Sequence, residues 1–259
     1  MREVGIRRIE ICALGTPPHF DVHNRAHISE IVSECEKLGV SIVSMHSPSF
    51  PYDSEEEDSR KNAVADGVLA AKVAEEMGAR VLVCHFRPEE QSEKSITEML
   101  DQLEGYSIKL GIENGTDLAD YTAFVDKIGS DQLGMVVDIG HTRDEDKVNP
   151  FIKKDRAREN MAQCGKRLIH LHLHDWVDGD HFAPEDGRDH FAPLDGSIEW
   201  AEVFAAFKDI DYGGVLMFEA AHHPVKHKLW LEGNPLAPEY VLGKVASFPE
   251  AFVDRYVGQ

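Results

Sequence analysis

The strongest constraint on the fold is an alternation. Short apolar runs rich in Val, Ile and Leu recur along the 259 residues, and each is followed by a segment with helical patterning. The runs are 6–14, 40–46, 79–85, 108–114, 133–138, 167–175 and 214–220. Such short, dense runs suit parallel strands buried on both faces. Helices are predicted near 26–38, 56–77, 91–104, 117–128, 150–164, 197–208 and 238–256. Within 56–77, Val64, Val68, Ala71 and Val73 fall at spacings suited to one buried stripe. Gly39 and Gly78 stand just past helix ends, where a left-handed residue is wanted. No compositional break divides the chain, so residues 1–259 are read as one domain.

Strict β-α alternation at this length gives an open doubly wound sheet or a closed (β/α)8 barrel. A dinucleotide-binding open sheet would carry G-x-G-x-x-G in its first turn, but that turn reads ALGTPPHF. The α/β chain is therefore read as a TIM-type (β/α) barrel with seven strand-helix units. The opening REVG looks like the tail of a helix and its closing glycine, so the usual first β-α unit is missing from the count. Either the barrel closes with seven strands, or another segment covers the gap, or the natural chain starts upstream. Open apolar edges of that kind would invite a second copy of the chain, a homo-oligomer.

The formal net charge of −20 disfavours nucleic acid as a partner, since phosphate binding draws on Lys and Arg. Cys12, Cys35, Cys84 and Cys164 form no C-x-x-C pair and read as reduced cytoplasmic thiols. No apolar run approaches the roughly 20 residues that span a bilayer, and MREVGIRR lacks a signal-peptide core. The expectation is a cytoplasmic protein with no membrane contact.

In a barrel of this kind the loops after the strands build the active site. The strand ends here carry His46, His85, Glu113 with Asn114, Asp138 with His141, His172 with His174 and Asp175, and Glu219; the first strand carries Glu10 inside it. Residues two apart share a strand face, so His170, His172 and His174 point one way while Ile169, Leu171 and Leu173 point the other. Taken singly, each polar residue could be a cap or a hydrogen-bonded loop residue. A carboxylate ending an apolar strand, as at Glu113 and Glu219, is costly unless paired or metal-bound. Two Glu, one Asp and several His converging on one mouth form a mixed oxygen and nitrogen shell for Zn²⁺, Mn²⁺, Co²⁺ or a similar ion. His170 is read as satisfied inside the barrel. His19, His23 and His27, and His222, His223 and His227, are read as surface or rim, and Glu55–Asp58 as a solvated helix start.

The ordered series MHSP, VCHF, GIENG, VVDIGH, HLHD, H-x-x-P-L-D-G and MFEA resembles the xylose isomerase-like barrel superfamily over nearly the whole chain. That group includes sugar-phosphate isomerases and epimerases, inosose dehydratases and apurinic-site endonucleases. The resemblance implies one divalent metal ion (Zn, Mn, Co or Mg) held by Glu113, Asp138, His172 and Glu219, with Glu113 and Glu219 also the catalytic acid and base. It implies that His141 contacts substrate oxygens. In the endonuclease branch, positions matching His46 and His85 join a second zinc, and those matching His141 and His190 a third, but Arg188 stands where that third ion needs an Asp. His46, His85, His141, His174 and His190 are therefore the candidates for substrate binding or a second metal. The family normally opens with one more β-α unit, and its second-strand Glu falls on Glu10.

The stretch DHFAPEDGRDHFAPLDG holds two near-copies, 180–187 and 189–196. Only the second matches the family frame, since Leu194, Asp195 and Gly196 lead into SIEW, a helix start. The first reads as an inserted spare; its rival role is a lid or extra ligands from Asp180 and His181.

The resemblance thus implies a metal-dependent sugar or sugar-phosphate isomerase or epimerase with a carbohydrate substrate. It would act by proton transfer next to a carbonyl through an enediolate held by the metal. The alternatives are dehydration of an inositol-type ketone, zinc phosphodiester hydrolysis of the apurinic-site type, and a barrel that binds a metal or small molecule without turnover.

Overall fold

A computed structural model describes residues 5–14, 20–115, 117–177, 190–220, 242 and 244–246. Six strands form one parallel sheet in sequence order: β1 (Arg8–Cys12), β2 (Ser41–His46), β3 (Val81–Cys84), β4 (Lys109–Glu113), β5 (Leu133–Asp138) and β6 (Leu168–His172). Helices α1 (Arg25–Leu38), α2 (Glu57–Glu76), α3 (Glu90–Gln102), α4 (Leu118–Ile128), α5 (Lys154–Cys164) and α6 (Trp200–Asp209) alternate with them. This is the TIM-type barrel architecture. The seventh apolar run joins β6 less regularly than expected. It is attached by a bridge between Leu173 and Phe218, with Leu173 N–H donating to Met217 O (2.8 Å) and Glu219 N–H to Leu173 O (3.0 Å).

The helix ends follow local chemistry. Asn24 caps α1 by accepting from His27 N–H, and Gly39 closes it at φ 62°. Asp117 caps α4 by accepting from Ala119 N–H. Gly78 takes φ 100° after α2, as its position predicts. Two expected helices start late. The 150–164 segment splits into a 3-10 turn (Pro150–Ile152) and α5, because Asn149 caps Phe151 N–H and the turn closes on itself before Lys154. The 197–208 helix begins at Trp200, because Ser197 N–H donates to Trp176 O and Ile198 N–H to the Asp175 carboxylate. The 238–256 helix falls almost wholly outside the described residues. No helix among the described residues is long and apolar enough to cross a membrane.

Packing forms two layers. The stripe Val64, Val68, Ala71 and Val73 of α2 is buried in the large core between sheet and helices. Each fully buried side chain of Val size contributes about 1.5–3 kcal/mol. A second, small cluster of Val81, Val83 and Val136, with Ile169 packed on it, lies apart from that core, inside the curl of the sheet. Gly111 makes room for it: a Cβ there would sit 2.5 Å from Val136 Cγ2 and 2.9 Å from Val81 Cγ1.

Two register shifts shape this interior. One lies between Ile9 and Glu10 where β1 pairs with β2; the other lies between Met135 and Val136 where β5 pairs with β6. The second inserts Ile169 as an extra residue in β6. The insertion turns Ile169 into the interior cluster, against the simple alternation that faced it away. β1 and β6 are opposite ends of the sheet order, yet Glu10 of β1 reaches His170 and His172 of β6. The sheet is therefore curled until its two ends face across one interior.

Candidate metal centre

The β6 insertion sets the site. Met135 pairs with Leu168, so an unbroken ladder would bring Leu171 beside Asp138. The extra residue brings His172 there instead. Both side chains are fully buried. Glu113, at the end of β4, pairs with Val136 one pleat below on the same face. Glu219 arrives from the seventh segment, bonded to Leu173 through its backbone.

One ligand atom each of Glu113, Asp138, His172 and Glu219 lies within 4.8 Å of the others. His172 Nδ1 is 2.9 Å from Glu113 Oε1 and 3.1 Å from Glu219 Oε2. Asp138 Oδ1 accepts the N–H groups of Gly140 (2.8 Å) and His141 (2.9 Å). Its Oδ2 and Glu219 Oε2 are shut off from solvent without a well-directed hydrogen bond, although imidazole nitrogens lie at 2.8 and 3.1 Å off the donor line. Among the described residues, every ion-pair partner of these three carboxylates is an imidazole. Buried carboxylate oxygens that lack both Lys or Arg and a directed proton donor fit a divalent cation.

The electrostatics agree. Burial raises the Glu113 carboxyl, but the charge and hydrogen bonds of His172, with His46 and His85, outweigh it and hold the group well below the usual range. Asp138 is likewise held low against burial by His174 and His141. Burial lowers His172, yet Glu10 and Glu113 raise it well above the usual imidazole value.

The other expected residues surround this set. His85 Nε2 lies 2.8 Å and His46 Nε2 3.3 Å from Glu113 Oε2; the His46 side chain is buried, whereas that of His85 is 52% exposed. His141, His174 and His190 form a second group of imidazoles, and the rings of His174 and His190 stack at 4.2 Å. Asn114 takes no part in the ligand set: its Oδ1 accepts Asp138 N–H and its Nδ2 donates to Thr142 Oγ1. His170 is buried and bonded to Glu10, as expected for a satisfied interior histidine. His23 is exposed and His27 half-buried; His19, His222, His223 and His227 lie outside the described residues.

The described part of the second octapeptide copy, 190–196, is anchored beside this group. Its His190 N–H donates to His174 Nδ1 (2.7 Å), Phe191 pairs with Asp175, and Leu194 N–H donates to Asp175 Oδ2. The buried Asp175 also holds Trp200 Nε1 (2.9 Å), so one carboxylate ties the loop to the start of α6. His190 and Leu194 hold positive φ, 55° and 71°, a strained backbone that this anchoring sustains. The first copy, with Asp180, His181 and Arg188, lies outside the described residues.

Sequence reasoning noted Glu10 inside the first strand without giving it a place in the site, and it passed over Gly140. Glu10 was visible as an acid within an apolar strand, the same signal that marked Glu113. Gly140 had no such signal: His174 Cε1 lies 1.8 Å from where its Cβ would be.

The chain is 28% identical over 135 residues to the uncharacterized protein MJ1311 of Methanocaldococcus jannaschii, covering 48% of this chain and 41% of that one. It is 29% identical over 122 residues to a D-psicose 3-epimerase of Enterocloster bolteae, covering 47% and 32%. The matched stretch thus spans less than half the length of either curated relative. A xylose isomerase domain protein from Planctomyces limnophilus superposes with a TM-score of 0.73 at 15% identity, covering 100% of this chain and 92% of the other. A xylose isomerase-like TIM barrel protein from Mycobacterium smegmatis, solved in complex with magnesium, gives 0.62 at 15% identity, covering 95% and 86%. The family model for the xylose isomerase-like TIM barrel matches residues 1–239, and the chain belongs to that family.

Proposed function

We propose that the chain, read as one barrel domain over 1–259, is a divalent-metal-dependent isomerase or epimerase of a sugar or sugar phosphate. One observation carries the reading: Glu113, Asp138, His172 and Glu219, far apart in sequence, converge to within 4.8 Å. The similarity to a D-psicose 3-epimerase supports the substrate class. These four side chains would hold the ion, which when bound supplies Lewis acidity toward a carbonyl and its neighbouring hydroxyl.

The chain's own residues move the protons. Glu113 and Glu219 are the two carboxylates that meet at His172 Nδ1. One takes the proton next to the substrate carbonyl; the other returns a proton to the opposite face or to the neighbouring carbon. A proton taken by Glu113 has a route outward, because its Oε2 lies 2.8 Å from Nε2 of the half-exposed His85. His46, His141, His174 and His190 line the same mouth, as donors and acceptors for sugar oxygens or as ligands of a second ion.

The test is elemental analysis of protein purified without chelator, followed by a ketose panel with the loaded enzyme. We expect near one divalent ion per chain and interconversion of at least one ketose pair, lost in both Glu113→Gln and Glu219→Gln. Near-wild-type turnover in either variant would overturn the mechanism.

A second reading has one observation in its favour. His46 and His85 both approach Glu113 Oε2, so Glu113 could be shared by a second ion, as zinc phosphodiesterases require. The net charge of −20 opposes a nucleic-acid substrate. Clean nicking of abasic-site duplex DNA in the presence of Zn²⁺ would favour this reading.

A further inference from the structure

The geometry points to Glu10 as the positioning residue of the metal centre: its carboxylate stands against His172 Nε2, which leaves Nδ1 facing Glu113 and Glu219. The inference rests on the metal-centre reading above and adds a residue that the ligand set does not contain.

Glu10 sits within an apolar strand with a side chain only 9% exposed, where a carboxylate is costly without strong partners. Among the described residues its ion-pair partners are two imidazoles across the barrel. Oε1 lies 3.0 Å from His172 Nε2, and Oε2 lies 3.3 Å from His170 Nε2. The His170 contact is a directed hydrogen bond; the His172 contact is close but off the N–H line. His172 therefore has a carboxylate at each nitrogen: Glu10 at Nε2, and Glu113 with Glu219 at Nδ1.

Backbone register supports a built arrangement. The shift in β1–β2 falls between Ile9 and Glu10, and the shift in β5–β6 begins the stretch that sets His170 beside Val136. Both irregularities thus lie at the level where Glu10 meets His170. Bulges re-aim side chains next to functional sites and are retained for that purpose. His170 serves as the second clamp, fixing the Glu10 carboxylate through its other oxygen.

A histidine that ligates a metal commonly donates its second ring N–H to a carboxylate. That partner fixes the tautomer and raises ligand basicity, and its loss weakens metal binding by about 10- to 100-fold. Glu10→Gln keeps the shape and removes the charge.

Zinc affinity of the full chain is measured by chelator competition for wild type and Glu10→Gln, with melting temperature of the metal-free proteins alongside. The expected result is about 10- to 100-fold weaker Zn²⁺ binding in the variant, with the metal-free melting temperature little changed. Affinity within about threefold of wild type would overturn the inference, as would a loss explained by unfolding alone. A second measurement needs no variant. In ¹⁵N spectra of the zinc-loaded wild type, His172 should be metal-bound at Nδ1 and protonated at Nε2; the reverse assignment would sink the proposal. If wild type binds no Zn²⁺ at all, the metal-centre reading itself fails, which is a different outcome from an unaffected Glu10→Gln.

Discussion

His172 of β6 stands beside Asp138 of β5 because one extra residue, Ile169, is inserted in β6 below them. Without that residue Leu171 would occupy the place, and the cup would lose its only nitrogen among the four proposed ligands. Metal binding should therefore stabilise the fold through this pair. A ligand that binds only the native state adds RT ln(1 + [L]/Kd), about 2.7 kcal/mol at 100 times Kd. The melting temperature should rise with added Zn²⁺ or Mn²⁺ and fall back with EDTA, and His172→Ala should remove the response. An equal response in His172→Ala would place the ion elsewhere.

Gly140 is predicted to be intolerant of any side chain. A Cβ there would lie 1.8 Å from His174 Cε1 and 2.3 Å from its Nδ1, and His174 Nε2 is 2.8 Å from Asp138 Oδ1. Gly140→Ala must displace either the loop or the imidazole. Overpacking of this kind costs about 1–3 kcal/mol. Because Asp138 also accepts Gly140 N–H, the substitution should lower metal affinity as well as stability. Chelator competition and thermal melts on one preparation would separate the two effects; unchanged affinity would show that His174 does not position Asp138.

The sequence exposed the strands and the polar residues at their ends, and for a physical reason: buried parallel strands need dense apolar runs, and a charged group at the end of one is conspicuous. Glu113, Asp138, His172 and Glu219 stood out that way, but so did His46 and His85, and only the family resemblance singled out the four as one ligand set. The insertion of Ile169 was not, because a period-two pattern carries no mark where one residue is added to a ladder. Glu10 was visible but its partners were not, since His170 is 160 residues away and pairs across the barrel rather than along the sheet. The strain at Leu194 was hidden for another reason: a leucine gives no local sign of a positive φ, whereas His190 is of a type that adopts one more readily.

Arg60 offers a test of the outer layer, away from the site. It is fully buried, yet it donates to Ser95 Oγ, to both carboxylate oxygens of Glu98 and to both of Glu57. Glu57 and Glu98 keep 44% and 35% of their side chains exposed, so they can be rehydrated when the arginine goes. Arg60→Ala should cost about 2 kcal/mol, below the 3–5 typical of fully enclosed pairs. Hydrogen bonds from Arg60 and then Lys94 hold the Glu57 carboxyl down to about 2. A depressed native value means that its contribution is present above the ordinary carboxylate range and is lost as pH falls through about 2. In Arg60→Ala the Glu57 titration, followed by carboxyl NMR, should move up toward 4.5; no movement would mean that Lys94 alone sets it.

The four thiols should divide into two classes by reactivity. Cys84 and Cys164 are fully buried, and burial pushes their thiols up to about 12 and about 11. Cys12 and Cys35 are half-buried, raised mainly by burial, with Glu10 and Glu219 adding to it at Cys12 and Glu34 at Cys35. The thiolate is the reactive form, so near pH 8 a thiol at 12 has on the order of a thousandfold less of it than an ordinary one near 8.5, before access is counted. Iodoacetamide followed by mass spectrometry should label Cys35 and Cys12 in the native protein and reach Cys84 and Cys164 only after denaturant. Labelling of Cys84 at the rate of Cys35 would mean that the α2–α3 side of the core opens readily. The packing of Tyr52 and Phe86 in the same core, with ring centroids 4.3 Å apart, argues against such opening.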